Sequence, residues 1–150
     1  MTNEVETIED IKSKKTALIK KGHVKYLEFL SRNGGWATFD KYAVLLGVSR
    51  KVIEEKVKAQ ELITVLVNDC VCIPLFQYDD VRKAELYGVS TINKILLNKR
   101  DLGYSAASTW WLSGSVSRRT LLIKGGESLP VYNNLISQAE LVGETRPKIM

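Results

Sequence analysis

A chain of 150 residues, 45% hydrophobic and 26% charged, has an ordinary globular composition and is long enough for one domain or two small ones sharing a core. One histidine and two cysteines are too few for a four-ligand structural zinc site, and no apolar run approaches the roughly 20 residues of a membrane helix. The net charge of +5 is unevenly placed: residues 11–60 carry twelve Lys or Arg against four acids, a local +8, whereas residues 61–100 hold five of each sign. Charge concentrated in this way suits a polyanionic partner.

The first ten residues, MTNEVETIED, are acidic and polar. They do not make a signal peptide, so a cytoplasmic, nucleoid-associated protein is expected, with a disordered tail over residues 1–13. From Lys14 to Arg32 the pattern is helical. Leu18, Gly22, Tyr26, Phe29 and Leu30 fall on one face, with Ile19, His23 and Leu27 beside them. His23 has no catalytic companion in sequence and reads as a packed helix residue. Asn33-Gly34-Gly35 ends the helix, and Trp36 is the expected anchor to the next element.

Thr38 is an N-cap for a helix carrying Tyr42, Ala43 and Leu46, which Gly47 stops. Val48 is expected to fill the turn, and Ser49 to cap a second helix from Arg50 to about Ala59. The run Ala43-x3-Gly47-Val48-Ser49-x3-Ile53 meets the steric demands of a helix-turn-helix. It has a small residue where the helices cross, a left-handed position at the turn, and apolar residues on the inner side. An ordinary helical hairpin is the alternative.

Ile63–Val67 is β-branched and apolar, Asn68-Asp69 suits a two-residue hairpin turn, and Cys70–Ile73 returns to Pro74. Cys70 and Cys72, two apart on a strand, share a face and read as small, buried, reduced thiols. No Lys or Arg occurs between Glu61 and Val81, so this hairpin is expected to pack the core. With these residues the stretch from Trp36 to Asp79 resembles the winged helix-turn-helix of MerR-like and excisionase-like proteins. It has the leucine-glycine-valine-serine turn, the short second helix, the hairpin and the closing Ile73-Pro74-Leu75-Phe76-Gln77-Tyr78-Asp79. Lys56 stands where that pattern commonly has an apolar or aromatic residue.

Beyond it, Asp79-Asp80 reads as an exposed linker and Val81–Leu86 as a helical turn. Ser90 is the expected cap of a helix from Thr91 to about Arg100, with Ile92, Ile95 and Leu96 inward. Ser105 opens a helix containing Trp110 and Trp111 that ends at Gly114. Ser117 caps a third, with Leu121, Leu122 and Ile123 buried. Pro130 starts a last helix carrying Val131, Leu135 and Ile136, and residues 143–150 form a tail. Trp111-Leu112-Ser113-Gly114, Thr120-Leu121-Leu122, Gly125-Gly126 and Val131–Ile136 resemble the toxin-binding domain of Xre/MbcA/ParS-type antitoxins. The resemblance implies a partner surface at Trp110, Trp111, Leu112, Leu121 and Leu122, and a toxin as the partner.

The expected architecture is therefore mainly α with a small β-hairpin. A winged helix-turn-helix over residues 14–80 is followed by a helical partner-binding or dimerisation domain over residues 81–142. Phosphate loops, nucleophile elbows and HExxH are absent from the sequence, so the chain reads as no enzyme, with no cofactor and no metal. A recognition helix enters the major groove by its N-terminal end, which places Ser49, Arg50 and Lys51 nearest the bases, with Arg50 on a guanine or a phosphate, Lys51 and Lys58 on phosphates, Lys41 among the DNA-binding residues, and Glu54 either against a cytosine or in an i,i+4 pair with Lys58. Double-stranded DNA bound by a homodimer is the expected target. The competing expectation is a protein-interaction module that keeps the winged scaffold without reading DNA.

Overall fold

A computed structural model describes residues 8–125 and 129–142, with the side chains of residues 8–12 and 129 left aside. The described chain is mainly helical, with seven helices and a small antiparallel sheet. The expected tail over residues 1–13 lies partly outside the described residues, but α1 (Ile8–Ser31) starts six positions before Lys14. The stretch Ile8–Ser13 carries neither Gly nor Pro, so nothing in it stops a helix. Among the described side chains of α1, packing begins at His23. His23, Tyr26 and Leu27 are partly covered and Leu30 is fully buried, whereas Leu18 and Ile19 are exposed, contrary to the inward face expected of them. Gly35 N–H closes the helix on Leu30 C=O at 2.8 Å.

β1 (Trp36–Thr38) leads into α2 (Phe39–Leu46), α3 (Arg50–Lys58), β2 (Val65–Val67) and β3 (Cys70–Pro74). The three strands form one antiparallel sheet in the order β1-β3-β2. Val65 lies opposite Cys72 and Ala37 opposite Ile73. Asn68 and Asp69 both take positive φ, 48° and 64°, the geometry of a tight hairpin turn matched to strand twist. Cys72 is buried and Cys70 exposed, so only one of the two thiols meets the expectation of burial; both are free.

The expected helical turn after Asp79 is instead a second, two-stranded sheet of β4 (Tyr78–Asp79) and β5 (Ala84–Glu85). The cause is Asp79 itself. Its Oδ1 accepts the N–H groups of Val81 and Arg82, each at 3.0 Å, and its Oδ2 pairs with Arg82 Nη1 at 2.8 Å. This side-chain-to-backbone turn competes with the helix. Asp79 is buried rather than an exposed linker residue. Desolvation works to raise its pKa, but the Arg82 N–H, the Arg82 guanidinium and the Val81 N–H outweigh it, and the net shift is downward.

α4 (Val89–Lys94) runs into a π-turn over Ile95–Lys99, and α5 (Tyr104–Leu112), α6 (Arg118–Gly125) and α7 (Leu129–Glu140) follow. α4 begins after Gly88 rather than at Ser90, whose Oγ instead donates to Glu85 Oε1 at 2.9 Å. Gly88 has φ 78°, and a Cβ there would overlap the Tyr132 ring of α7. Ser117 caps α6 as expected, accepting the Thr120 N–H at 3.1 Å.

One buried cluster is shared by both halves of the chain. Leu30, Ile63, Val65 and Phe76 pack with Leu86, Ile92, Leu96, Trp111, Leu122 and Leu135. A second cluster, with Tyr42, Ala43, Ile53, Leu62, Ile73 and Tyr78, lies under α2 and α3. Each large side chain so covered contributes roughly 1.5–3 kcal/mol of transfer free energy. Gln77 and Asn93, both fully buried, cross the junction between the halves.

Candidate nucleic-acid interface

The helix pair α2–α3 is set by local chemistry. Thr38, in extended geometry, accepts the Lys41 N–H at 3.1 Å and starts α2. Gly47 takes φ 69°, and the N–H groups of Gly47 and Val48 return to Val44 C=O and Ala43 C=O at 3.1 and 3.0 Å. This paired termination satisfies two of the last carbonyls of α2 and turns the chain sharply. Ser49 Oγ then accepts the Val52 N–H at 3.4 Å and starts α3. Ala43 and Ile53 are buried between the helices, as their spacing predicts. Val48 is not the expected plug: it is exposed, because the left-handed Gly47 carries the following residue outward.

The outer surface of α3 presents Arg50, Lys51, Glu54, Glu55 and Lys58 to solvent, with Ser49 at its tip and Lys41 exposed on α2. Arg50 is the most constrained of these. Its Nη1 meets Asp40 of α2 at 3.2 Å, its Nε meets Glu54 at 3.1 Å, and its guanidinium lies 5.4 Å from the centre of the Phe39 ring. The hydrogen bond to Glu54 first, and that to Asp40 next, raise the Arg50 pKa above its ordinary value. Glu54 therefore pairs with Arg50 and not with Lys58 as expected. The physical reason is tertiary: Asp40 fixes the guanidinium from the neighbouring helix, and Glu54 completes the fork. Asp40 and Phe39 had no sequence signal as partners of Arg50, since they sit ten or so residues away on another helix.

Lys56 faces the other way. Its Nζ lies 3.2 Å from Glu85 Oε1 and 3.7 Å from Glu61 Oε1, while Lys94 reaches Glu61 Oε2 at 3.3 Å. The cation that breaks the apolar pattern of α3 thus ties the helix to β5 and, through Glu61, to α4. In the hairpin, Val65 and Cys72 point into the core, whereas Leu66 and Val71 are exposed on the opposite face. His23 Nε2 donates to Leu66 C=O at 2.7 Å and holds the hairpin against α1.

The expected partner face in the C-terminal half is largely internal. Trp111 and Leu122 are fully buried and Trp110 nearly so, Leu112 is partly covered, and Leu121 alone of the five is exposed. Trp111 packs on Phe76, and its Nε1–H donates to Asn93 Oδ1 at 2.9 Å. Trp110 lies beneath Arg118, whose guanidinium stands 4.5 Å from the indole centre and also donates to Trp110 C=O and Gln138 Oε1. Burial lowers the Arg118 pKa. The partner surface implied by the antitoxin resemblance is thus, at Trp110 and Trp111, taken up by the core of the molecule itself.

Among the described residues no helix is long and apolar enough to cross a membrane, and no three His, Cys, Asp or Glu side chains gather as metal ligands. Compared with protein-family models, with curated proteins and with solved structures, the chain gives no match.

Proposed function

We propose that the chain is a sequence-specific DNA-binding transcriptional regulator, with a winged helix-turn-helix formed by α1–β3 and a partner-binding helical half. One observation carries the reading. α3 stands capped at its exposed N-terminus by Ser49, held at a sharp glycine turn against α2, with Arg50, Lys51 and Lys58 on its solvent face and an antiparallel hairpin directly after it. That is the arrangement a major-groove helix requires. The local charge of +8 over residues 11–60 supplies phosphate neutralisation. Ser49, Arg50 and Lys51 stand nearest the bases, with Lys51 and Lys58 as phosphate contacts and Lys41 beside them on α2. A homodimer on paired half-sites fits a module this small. The antitoxin-like part of the reading narrows to the exposed surface around Leu121, since Trp110, Trp111 and Leu122 are enclosed.

The experiment is a salt titration of binding to duplex DNA selected from a random pool. Affinity falls steeply with salt, and the slope falls by about one unit when Lys51 or Lys58 becomes Ala. Absence of duplex binding at low salt overturns the reading.

The alternative, a protein-interaction module on the same scaffold, is favoured by the Arg50–Asp40–Glu54 cluster, which occupies the guanidinium that DNA would use. It predicts DNA-independent capture of a partner that is lost when the exposed α3 residues change. Co-purification of the product of a neighbouring gene, abolished by Leu121→Glu, would assign that partner to the C-terminal half.

A further inference from the structure

A cleft of about 660 Å³ opens between the two halves of the molecule. That is within the roughly 300–1,000 Å³ typical of small-molecule sites. Its positive lining comes from three distant parts of the chain: Arg32 just past α1, Lys83 in the β4–β5 turn, and Arg119 in the first turn of α6. Leu45 of α2, Leu75 and Leu112 of α5 supply an apolar wall. Asp80 is the one carboxylate of the lining.

What sets this cleft apart is that three cations from separate elements line one concavity. Among the described residues neither Arg32 nor Lys83 has a carboxylate within ion-pair distance. Arg119 is held in place by donating Nε to Phe76 C=O and Nη2 to Tyr78 C=O. Those acceptors are neutral, so its charge is also uncompensated. Three cations against one anion, in a concave site with apolar walls, focus positive potential into the cleft.

We propose that this cleft binds a small organic anion, with a phosphate or carboxylate group on Arg32, Lys83 and Arg119 and an apolar body against Leu45, Leu75 and Leu112. Ser117 and Thr120, also in the lining, offer hydroxyls beside the anionic group. The site belongs to the fold and does not depend on what α3 contacts. It does abut α2 through Leu45, so an occupied cleft touches the helix that supports α3.

The test uses the full chain and three fluorescent probes: 1-naphthyl phosphate, 1-naphthoate and the uncharged 1-naphthol, each followed by fluorescence anisotropy. The two anions bind saturably in the micromolar-to-millimolar range, and naphthol binds at least about tenfold more weakly. The double variant Arg32→Gln, Lys83→Gln loses at least about tenfold in affinity for both anions while its thermal unfolding is unchanged, because both side chains are exposed. Arg119 is left intact, since it bonds two backbone carbonyls. Equal affinity for naphthol, unaltered anion binding by the double variant, or no saturable binding of either anion overturns the proposal.

Discussion

The indole N–H of Trp111 donates to Oδ1 of Asn93 across 2.9 Å inside the buried core. The same Asn93 passes its Nδ2 protons to Gln77 Oε1 at 2.9 Å and to Glu61 C=O at 3.0 Å. Gln77 in turn bonds both the N–H and the C=O of Ile63, at 2.7 and 3.0 Å. A continuous chain of hydrogen bonds therefore joins α5 through α4 to the strand-bearing half. At low local dielectric each link is strong when made and costly when left open.

Replacing Asn93 by Leu leaves the Trp111 N–H and the Glu61 carbonyl without partners. We expect a loss of about 2–4 kcal/mol in urea denaturation. A double-mutant cycle with Trp111→Phe should show coupling, because the two residues share one bond. A loss under about 0.5 kcal/mol would mean that the network contributes little to stability.

Arg50 has two possible duties, and Asp40 separates them. If Arg50 contacts DNA, Asp40→Ala frees the guanidinium from one of its two carboxylates, leaving the Glu54 bond, and removes a negative charge near the backbone. Duplex affinity should then rise several-fold at low salt. Arg50→Ala should weaken binding by roughly tenfold and flatten the salt slope. Equal duplex affinity for all three proteins would restrict Arg50 to bracing α2 against α3.

Tyr26 gives the molecule a weakness in alkali. Its hydroxyl lies 3.0 Å from Ser108 Oγ, and burial first of all pushes its pKa up to about 12 from an ordinary 10.0. The folded state keeps the proton that the unfolded state releases near pH 10. The stabilisation is complete below that pH and drains away as pH rises toward 12, by roughly 2–3 kcal/mol in all. Tyr42, raised by burial and then by Glu85, adds to the same trend. Stability measured from pH 9 upward should fall less steeply for Tyr26→Phe than for the parent protein; parallel curves would remove Tyr26 from the account.

Asp79 acts at the other end of the pH scale. Its pKa is lowered in the folded state, so its contribution is present above the ordinary carboxylate range and disappears as pH falls through it. Asp79→Asn keeps an acceptor for the Val81 and Arg82 N–H groups but gives up the ion pair with Arg82. The expected cost at neutral pH is about 1–3 kcal/mol, closing toward zero in acid. A gap that stays constant down to low pH would show that packing, not charge, is what the substitution disturbs.

The parts of the fold that were readable from sequence are those decided within a few residues. Thr38, Gly47 and Ser49 each act on backbone groups no more than four positions away, and Asn68-Asp69 closes its own hairpin. The β4–β5 pair stands where the sequence pattern predicts a helical turn, although its cause is also local. An Asp-Asp pair reads as a solvated linker, and the burial of Asp79 is decided by tertiary packing that no neighbouring residue announces. The surface role of Trp110 and Trp111 rests on resemblance alone. Phe76 and Asn93, the true neighbours of Trp111, lie far back in the chain, and Trp110 is covered by Arg118. The cleft is the extreme case, since Arg32, Lys83 and Arg119 are brought together only by tertiary packing.

The shared core also has a genetic consequence. Leu30, Ile63, Val65 and Phe76 are covered by side chains that the ribosome adds only after Asp79. A stop codon between Asp79 and Leu86 would strip that cover and leave an apolar wall open to solvent. Such an allele should behave as a complete loss of the protein, cleared by proteolysis, rather than as a surviving fragment with one activity intact.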